Sequence, residues 1–153
     1  MISYILDTDH LSLHQRGHEP LRSHLMTVPP EQIAITIISV EELLRGRLAQ
    51  VRRATKAADR ANAYAWLHKT FDFLRDFNIL KYEMPAELQF QALRVSKVKI
   101  GTQDLKIASI TLTRTSRNSN NDGTRKRNRT PKFFRVLFCF CLQLFALKAK
   151  ILL

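Results

Sequence analysis

Three acidic residues stand where apolar segments of the chain change character. Asp7 closes the apolar run at 2–6, Glu42 lies just past a second run at 33–38, and Asp104 opens a segment at 105–112 with helical apolar spacing. Carboxylates that end strands or begin helices converge when a parallel sheet aligns them, because strand C-terminal ends face one ligand-binding crevice. Converging acids repel, and a divalent cation offsets that repulsion. The chemistry open to such a trio is metal-assisted hydrolysis, in which Mg²⁺ or Mn²⁺ acidifies a water and neutralises charge developing on a phosphoryl group. The separations are too long for a local metal loop, so only a fold can assemble the site. Glu41 and Glu42 project about 100° apart on a helix, so only one of them can face a shared ion. A plainer account makes Asp7 a strand-end residue and the other two favourable acids near helix N-termini.

The elements that would position these acids alternate. Strands are expected at 2–6, 33–38 and 79–82. Helices are expected from 9 or 10 to 16, from Pro20, from 40 to about 57, over 59–77 and over 85–98. Thr8 or Asp9 is the expected cap of the first helix, and Ser39 of the third. The run at 33–38 is nearly all apolar and β-branched, as in a strand covered on both faces, which favours a parallel sheet. The fourth helix should pack through Tyr64, Leu67, Phe71 and Leu74, and the fifth through Leu88, Phe90, Leu93 and Val95. The fold class expected is α/β, a parallel sheet flanked by helices in three layers.

Three segments carry a family likeness: Tyr4-Ile5-Leu6-Asp7-Thr8-Asp9, Ile38-Ser39-Val40-Glu41-Glu42-Leu43-Leu44-Arg45-Gly46, and Ile100-Gly101-Thr102-Gln103-Asp104-Leu105-Lys106-Ile107-Ala108. In order and spacing the chain resembles the PIN-domain ribonucleases, and most of all the VapC-type toxins of bacterial toxin–antitoxin pairs. The resemblance implies a PIN-like sandwich, with Asp7, Glu42 and Asp104 as catalytic metal ligands for Mg²⁺ or Mn²⁺. It selects Glu42 over Glu41, since the family acid directly precedes Leu and stands four residues before Gly. It further implies an RNA substrate, a cognate antitoxin whose tail reaches the crevice, a homodimer formed through helices, and a cytoplasmic site of action. Thr8 and Ser39 are supporting candidates beside the acids, or simply helix caps. Arg45 either holds substrate phosphate or pairs with Glu41.

The likeness covers residues 1–113 and stops there. The family's final buried strand and its fourth Asp, followed by Phe, have no counterpart after Thr113; the chain instead reads Arg114-Thr115-Ser116-Arg117-Asn118-Ser119-Asn120-Asn121-Asp122-Gly123. Asp122 is the remaining acid at a suitable distance, although Asn-Asn-Asp-Gly is turn chemistry. Charge breaks at the same place: residues 1–113 hold 15 Lys and Arg against 12 acids, a net of +3, and residues 114–153 hold 10 against one, a net of +9. The expected organisation is therefore an incomplete PIN-like domain at 1–113 and an aberrant tail at 114–153, with the final strand missing or altered. The hypothesis drawn from this break is a shift of reading frame or a rearrangement near residue 114; resequencing the locus tests it, and a clean frame with homologous ends in relatives would sink it.

The formal charge of +12 suits a polyanionic partner, but most of the excess lies in the tail, including the run Arg125-Lys126-Arg127-Asn128-Arg129. Residues 133–153 are apolar but interrupted by Arg135, Gln143, Lys148 and Lys150. This pattern suggests an interfacial helix rather than a span, which needs about 20 apolar residues. Cys139 and Cys141 match no zinc spacing, nothing implies an oxidising compartment, and residues 1–20 lack a signal-peptide pattern. His10, His14, His18 and His24 resemble a ligand cluster but lack further ligands at enzyme spacing, and are expected as surface residues. The functions that follow are a metal-dependent endoribonuclease toxin, an impaired relic that only binds antitoxin, and a non-catalytic basic nucleic-acid-binding protein. Loss of the last strand would leave an unpaired edge and poor solubility.

Overall fold

A strand three residues long, β1 (Tyr4–Leu6), starts the fold, and its side chains divide between two cores. Leu6 packs with Leu11, Ile33, Ile35, Leu43 and Leu74 on one face of the sheet, and Ile5 packs with Ala34, Leu80, Ile107 and Ile110 on the other. The computed structural model describes residues 2–96, 100–120 and 135–137.

After β1 come α1 (Thr8–Gln15) and α2 (Glu19–Met26), then a 3-10 turn (Pro30–Gln32) and β2 (Ile33–Thr36). Next are α3 (Ile37–Arg53), α4 (Ala57–Arg75), β3 (Asn78–Leu80), α5 (Met84–Val95), α6 (Thr102–Asn120) and β4 (Arg135–Leu137). The strands form one parallel sheet in the order β3-β2-β1-β4. Tyr4 is in register with Ile33 and with Arg135, and Thr36 with Leu80. Core clusters on both faces give three layers, and Phe90, Leu93, Leu105 and Ala108 join α5 to α6. The expected α/β sandwich is the fold observed. The chain leaves β1 toward β2 and β3, then crosses back to place β4 on β1's other side, so the C-terminal end of β1 is the switch point where open parallel sheets bind ligands.

Several boundaries differ from expectation for local reasons. The expected strand at 33–38 ends at Thr36, because the Thr36 hydroxyl accepts the Ser39 amide at 3.1 Å and caps α3. Ser39 is therefore a buried first-turn residue rather than the cap. Asp7, rather than Thr8 or Asp9, caps α1. On α4 Leu74 is buried in the core as expected, with Phe73 packed against it, and Ala63 and Thr70 are buried as well, while Tyr64 and Phe71 of the expected stripe are exposed. Leu88 and Val95 of α5 are likewise exposed.

The final strand is altered rather than missing. α6 continues past Thr113 to Asn120, so residues 114–120 are helical, and Arg135–Leu137 then pairs with β1. That strand corrects the interfacial-helix expectation for these three residues. Phe133, Phe134, Val136 and Phe138 supply the aromatic and β-branched composition that favours extended chain, and β1 offers a parallel partner. β1 is accordingly an inner strand, and the sheet's edge on that side is β4. Asp122, the basic run 125–129, Cys139, Cys141 and the remainder of 133–153 lie outside the described residues. Among the described residues no helix is long and apolar enough to cross a membrane.

Candidate active site

Asp7 follows β1 directly and starts α1, so its carboxylate sits at the switch point. It is 9% exposed. Its Oδ1 accepts the backbone N–H of His10 at 2.8 Å and lies 2.6 Å from His10 Nδ1. An ionised carboxylate only accepts, so His10 carries its proton on Nδ1 when Asp7 is charged. Both contacts fall on one oxygen and fix the plane of the carboxyl group.

Glu42 lies in the second turn of α3, half-buried, and its Oε2 accepts the Thr8 hydroxyl at 2.5 Å. This bond ties the beginnings of α1 and α3. Glu41 points elsewhere: it pairs with Arg45 and accepts Gln103 Nε2 at 2.9 Å, which links α3 to the first turn of α6. Two adjacent acids thus fasten one helix to two different neighbours.

Asp104 stands in the first turn of α6. Partial burial raises its carboxyl above the usual carboxylate range, the negative charge of Asp7 adds to the rise, and that of Asp9 adds a smaller part; a hydrogen bond from the Gly101 backbone acts in the opposite direction. The charge of Asp7 thus disfavours the ionised form of Asp104. Asp104 folds back over Gly101, where a Cβ would stand 2.9 Å from Asp104 Oδ2.

Thr8, next to Asp7, bonds Glu42, and Asp104 feels the charge of Asp7. Among the described residues, however, no group of three His, Cys, Asp or Glu side chains is arranged to hold a metal ion. In donor chemistry the residues fit Mg²⁺ or Mn²⁺, being hard carboxylate oxygens with uncompensated like charge. Ser39 lies behind α3's first turn, its Oγ 3.1 Å from Thr36 Oγ1, and reaches the site only through that helix. Arg45 is exposed and paired with Glu41.

Of the four histidines expected at the surface, His18 is exposed and His10, His14 and His24 are half-buried. His10 holds Asp7; His14 packs on Phe73 and Phe77, with ring centroids 5.3 and 6.3 Å away; His18 caps α2; and His24 meets Tyr4 edge-on. His10, expected as a surface residue, and Asp9, expected only as a possible cap, both act on the acids here. The only available signal was their position within three residues of Asp7.

With this geometry the class is defined by fold: an α/β sandwich of PIN-like form, with acids at the end of its first strand. Its likenesses are to chains in solved toxin–antitoxin structures. A toxin–antitoxin complex from Klebsiella pneumoniae matches at 24% identity and TM-score 0.55, over 73% of this chain and 80% of that one. VapBC2 from Rickettsia felis, bound to a DNA fragment from its promoter, matches at 23% and 0.58, over 74% and 82%. FitAcB from Neisseria gonorrhoeae matches at 20% and 0.57, over 72% and 81%. No protein-family profile and no curated protein matches the chain.

Proposed function

We propose that this chain is a metal-dependent endoribonuclease that acts in the cytoplasm as the toxin of a toxin–antitoxin pair, as a homodimer held in check by a cognate antitoxin. The observation that carries the reading is the acid set at the switch point, where Asp7 follows β1, Thr8 next to it bonds Glu42, and Asp104 feels the charge of Asp7. The fold's likeness to chains in toxin–antitoxin complexes supports the same reading.

Asp7, Glu42 and Asp104 would hold Mg²⁺ or Mn²⁺. Such an ion supplies concentrated positive charge for hydrolysis of a phosphodiester. The chain's own groups set the stage for that chemistry. His10 occupies Oδ1 of Asp7 and leaves Oδ2 as the oxygen for a cation. Thr8 fixes Oε2 of Glu42, and the Gly101 backbone restrains Asp104. RNA enters the proposal because a crevice lined by carboxylates can take a polyanion only with a cation between them, and the arginines on α1 and α3 extend a positive field beyond it.

A second reading is an impaired toxin that only binds antitoxin. It is favoured by the lack of a three-acid metal set among the described residues.

The test is Mg²⁺-dependent RNA cleavage and growth arrest on expression, for the unmodified chain and Asp7→Asn. Asn caps helices as well as Asp does, so the substitution removes charge without removing the α1 cap. Cleavage and arrest that vanish in Asp7→Asn support the nuclease; a folded chain that does neither supports the relic.

A further inference from the structure

α1 and α3 both begin at the acids and both end at arginines. They run side by side: Thr8 bonds Glu42 near their starts, and Gln15 Oε1 accepts Arg47 Nη2 at 2.8 Å farther along. Beyond that second bond a groove of about 610 Å³ opens between α1, α3 and α4, lined by Arg16, Arg47, Arg53 and Trp66 among others. One acid, Asp59, lies among these lining residues. None of the ion pairs among the described residues includes Arg16, Arg47 or Arg53.

Arg47 is held in place by neutral partners. Its Nε donates to Thr70 Oγ1 at 3.0 Å, Nη1 to Gln50 Oε1 at 3.2 Å and Nη2 to Gln15 Oε1, while the guanidinium lies over the Trp66 ring at 5.4 Å. A guanidinium has five N–H donors, so one remains on each terminal nitrogen, the pair that grips a phosphate in bidentate fashion. Burial, and then the nearby charge of Arg16, lower the pKa of Arg47, as expected when positive charges converge without a counter-ion. Arg16 and Arg53 are exposed on the two sides of the groove.

We propose that this groove binds the phosphate backbone of a single-stranded RNA, whose scissile linkage lies at Asp7 and Asp104 at the other end of the same two helices. The identity of the ligand as RNA rests on the nuclease reading. At 1.5 Å per helical residue, Arg16 stands about 14 Å from Asp7 and Arg53 about 16 Å from Glu42, a reach of four to five stacked nucleotides. An acidic protein segment is the competing occupant. RNA is favoured because the remaining donors are paired for phosphate and a half-exposed indole lies beside them, suited to a base.

Trp66 is the only tryptophan of the chain and lines the groove, so its fluorescence reports events there. A short single-stranded RNA is titrated onto the full chain in EDTA, where cleavage is silent, with tryptophan fluorescence and anisotropy read together. The variants are Arg16→Gln with Arg53→Gln, and, as a charge-matched control, Arg75→Gln with Arg94→Gln. The expected result is a Trp66 signal on RNA binding, weakened on the order of ten-fold at about 0.15 M salt in the groove variant, with a salt slope shallower by about 1.4. Three results would overturn the proposal: RNA binding that leaves Trp66 silent, a groove variant no weaker than the control, or a groove that takes up an acidic peptide in preference to RNA. Cleavage assays on Asp7→Asn keep the two ideas separate. An inert acid site with intact groove binding removes only the nuclease, and active cleavage with unchanged RNA affinity in the groove variant removes only the groove.

Discussion

Thr8 donates its hydroxyl to Glu42 at 2.5 Å, across 34 residues of sequence, and so fixes the start of α1 against the start of α3. Without it, one of the three acids loses the contact that orients it. Thr8→Val keeps the shape and removes the donor. The expected cost is about 1 kcal/mol in stability, with RNA cleavage lowered on the order of ten-fold. Thr8→Ser should restore cleavage, and failure of that rescue would separate Thr8 from the site. Denaturant melts and cleavage rates on the three proteins decide the matter.

Asp104 carries the cost of the site. Its folded carboxyl titrates above the ordinary range, through burial first and then Asp7 and Asp9. A folded pKa above the unfolded one means that stability is full below the ordinary carboxyl value and falls as pH rises from there through the raised value. At neutral pH without divalent cations, Asp104→Asn is therefore expected to melt about one to two degrees higher than the unmodified chain, a small gain because the group is largely solvated. Mg²⁺ should raise the melting point of the unmodified chain and not that of the variant. Equal Mg²⁺ effects on both, in thermal melts across pH, would count against Asp104 as a ligand.

His14 gives the opposite dependence. Burial, and then the charge of Arg22, lower its pKa below the ordinary histidine value. The unfolded chain thus binds a proton more readily, so stability is whole above about pH 6.5 and declines as pH falls through the window between the unfolded and folded values. His14→Phe, packed on Phe73 and Phe77, should flatten that decline. Urea midpoints measured between mildly acidic and neutral pH test it, and an unchanged slope in the variant would remove His14 as the cause.

The sheet was readable because residues buried on both faces leave apolar, β-branched runs; Asp7 and Glu42 stood out because each ends or follows such a run, and Asp104 because it opens an apolar helical segment. The end of β2 was not. Ile37 and Ile38 continue the apolar pattern, yet they begin α3, since a short buried run looks alike as strand or as helix start. Thr36 was the signal, a capping residue inside an apolar run. The histidines defeated sequence reasoning for another reason. His14 finds its partners about 60 residues away, and no local spacing announces that contact. α4 misled because Tyr64 and Phe71 were assumed to face inward, whereas α4 meets the core through Leu74 and Phe73, so that of the expected stripe Leu74 alone reaches the core cluster. At the C-terminus the length of the apolar stretch was weighed and its β-forming composition was not, so the strand at Arg135–Leu137 was missed.

Thr36 links the fold to the chemistry. It is fully buried, ends β2, and its hydroxyl oxygen takes the Ser39 amide while lying 3.1 Å from the Ser39 hydroxyl. Val at this position would fill the same volume in the strand, so packing and register with Leu80 should survive. The amide and hydroxyl of Ser39 would then lack their partner in a dry environment, at a cost of about 1–2 kcal/mol. Because Glu41 and Glu42 lie in the turn that follows, a frayed start of α3 should loosen both the Thr8 and the Gln103 contacts. Thr36→Val is therefore expected to lose cleavage more than its stability loss explains, and hydrogen exchange at the first turns of α3 should quicken while β2 stays protected. If exchange quickens equally in both, the substitution has acted on the sheet, and the cap is not what holds the acids in place.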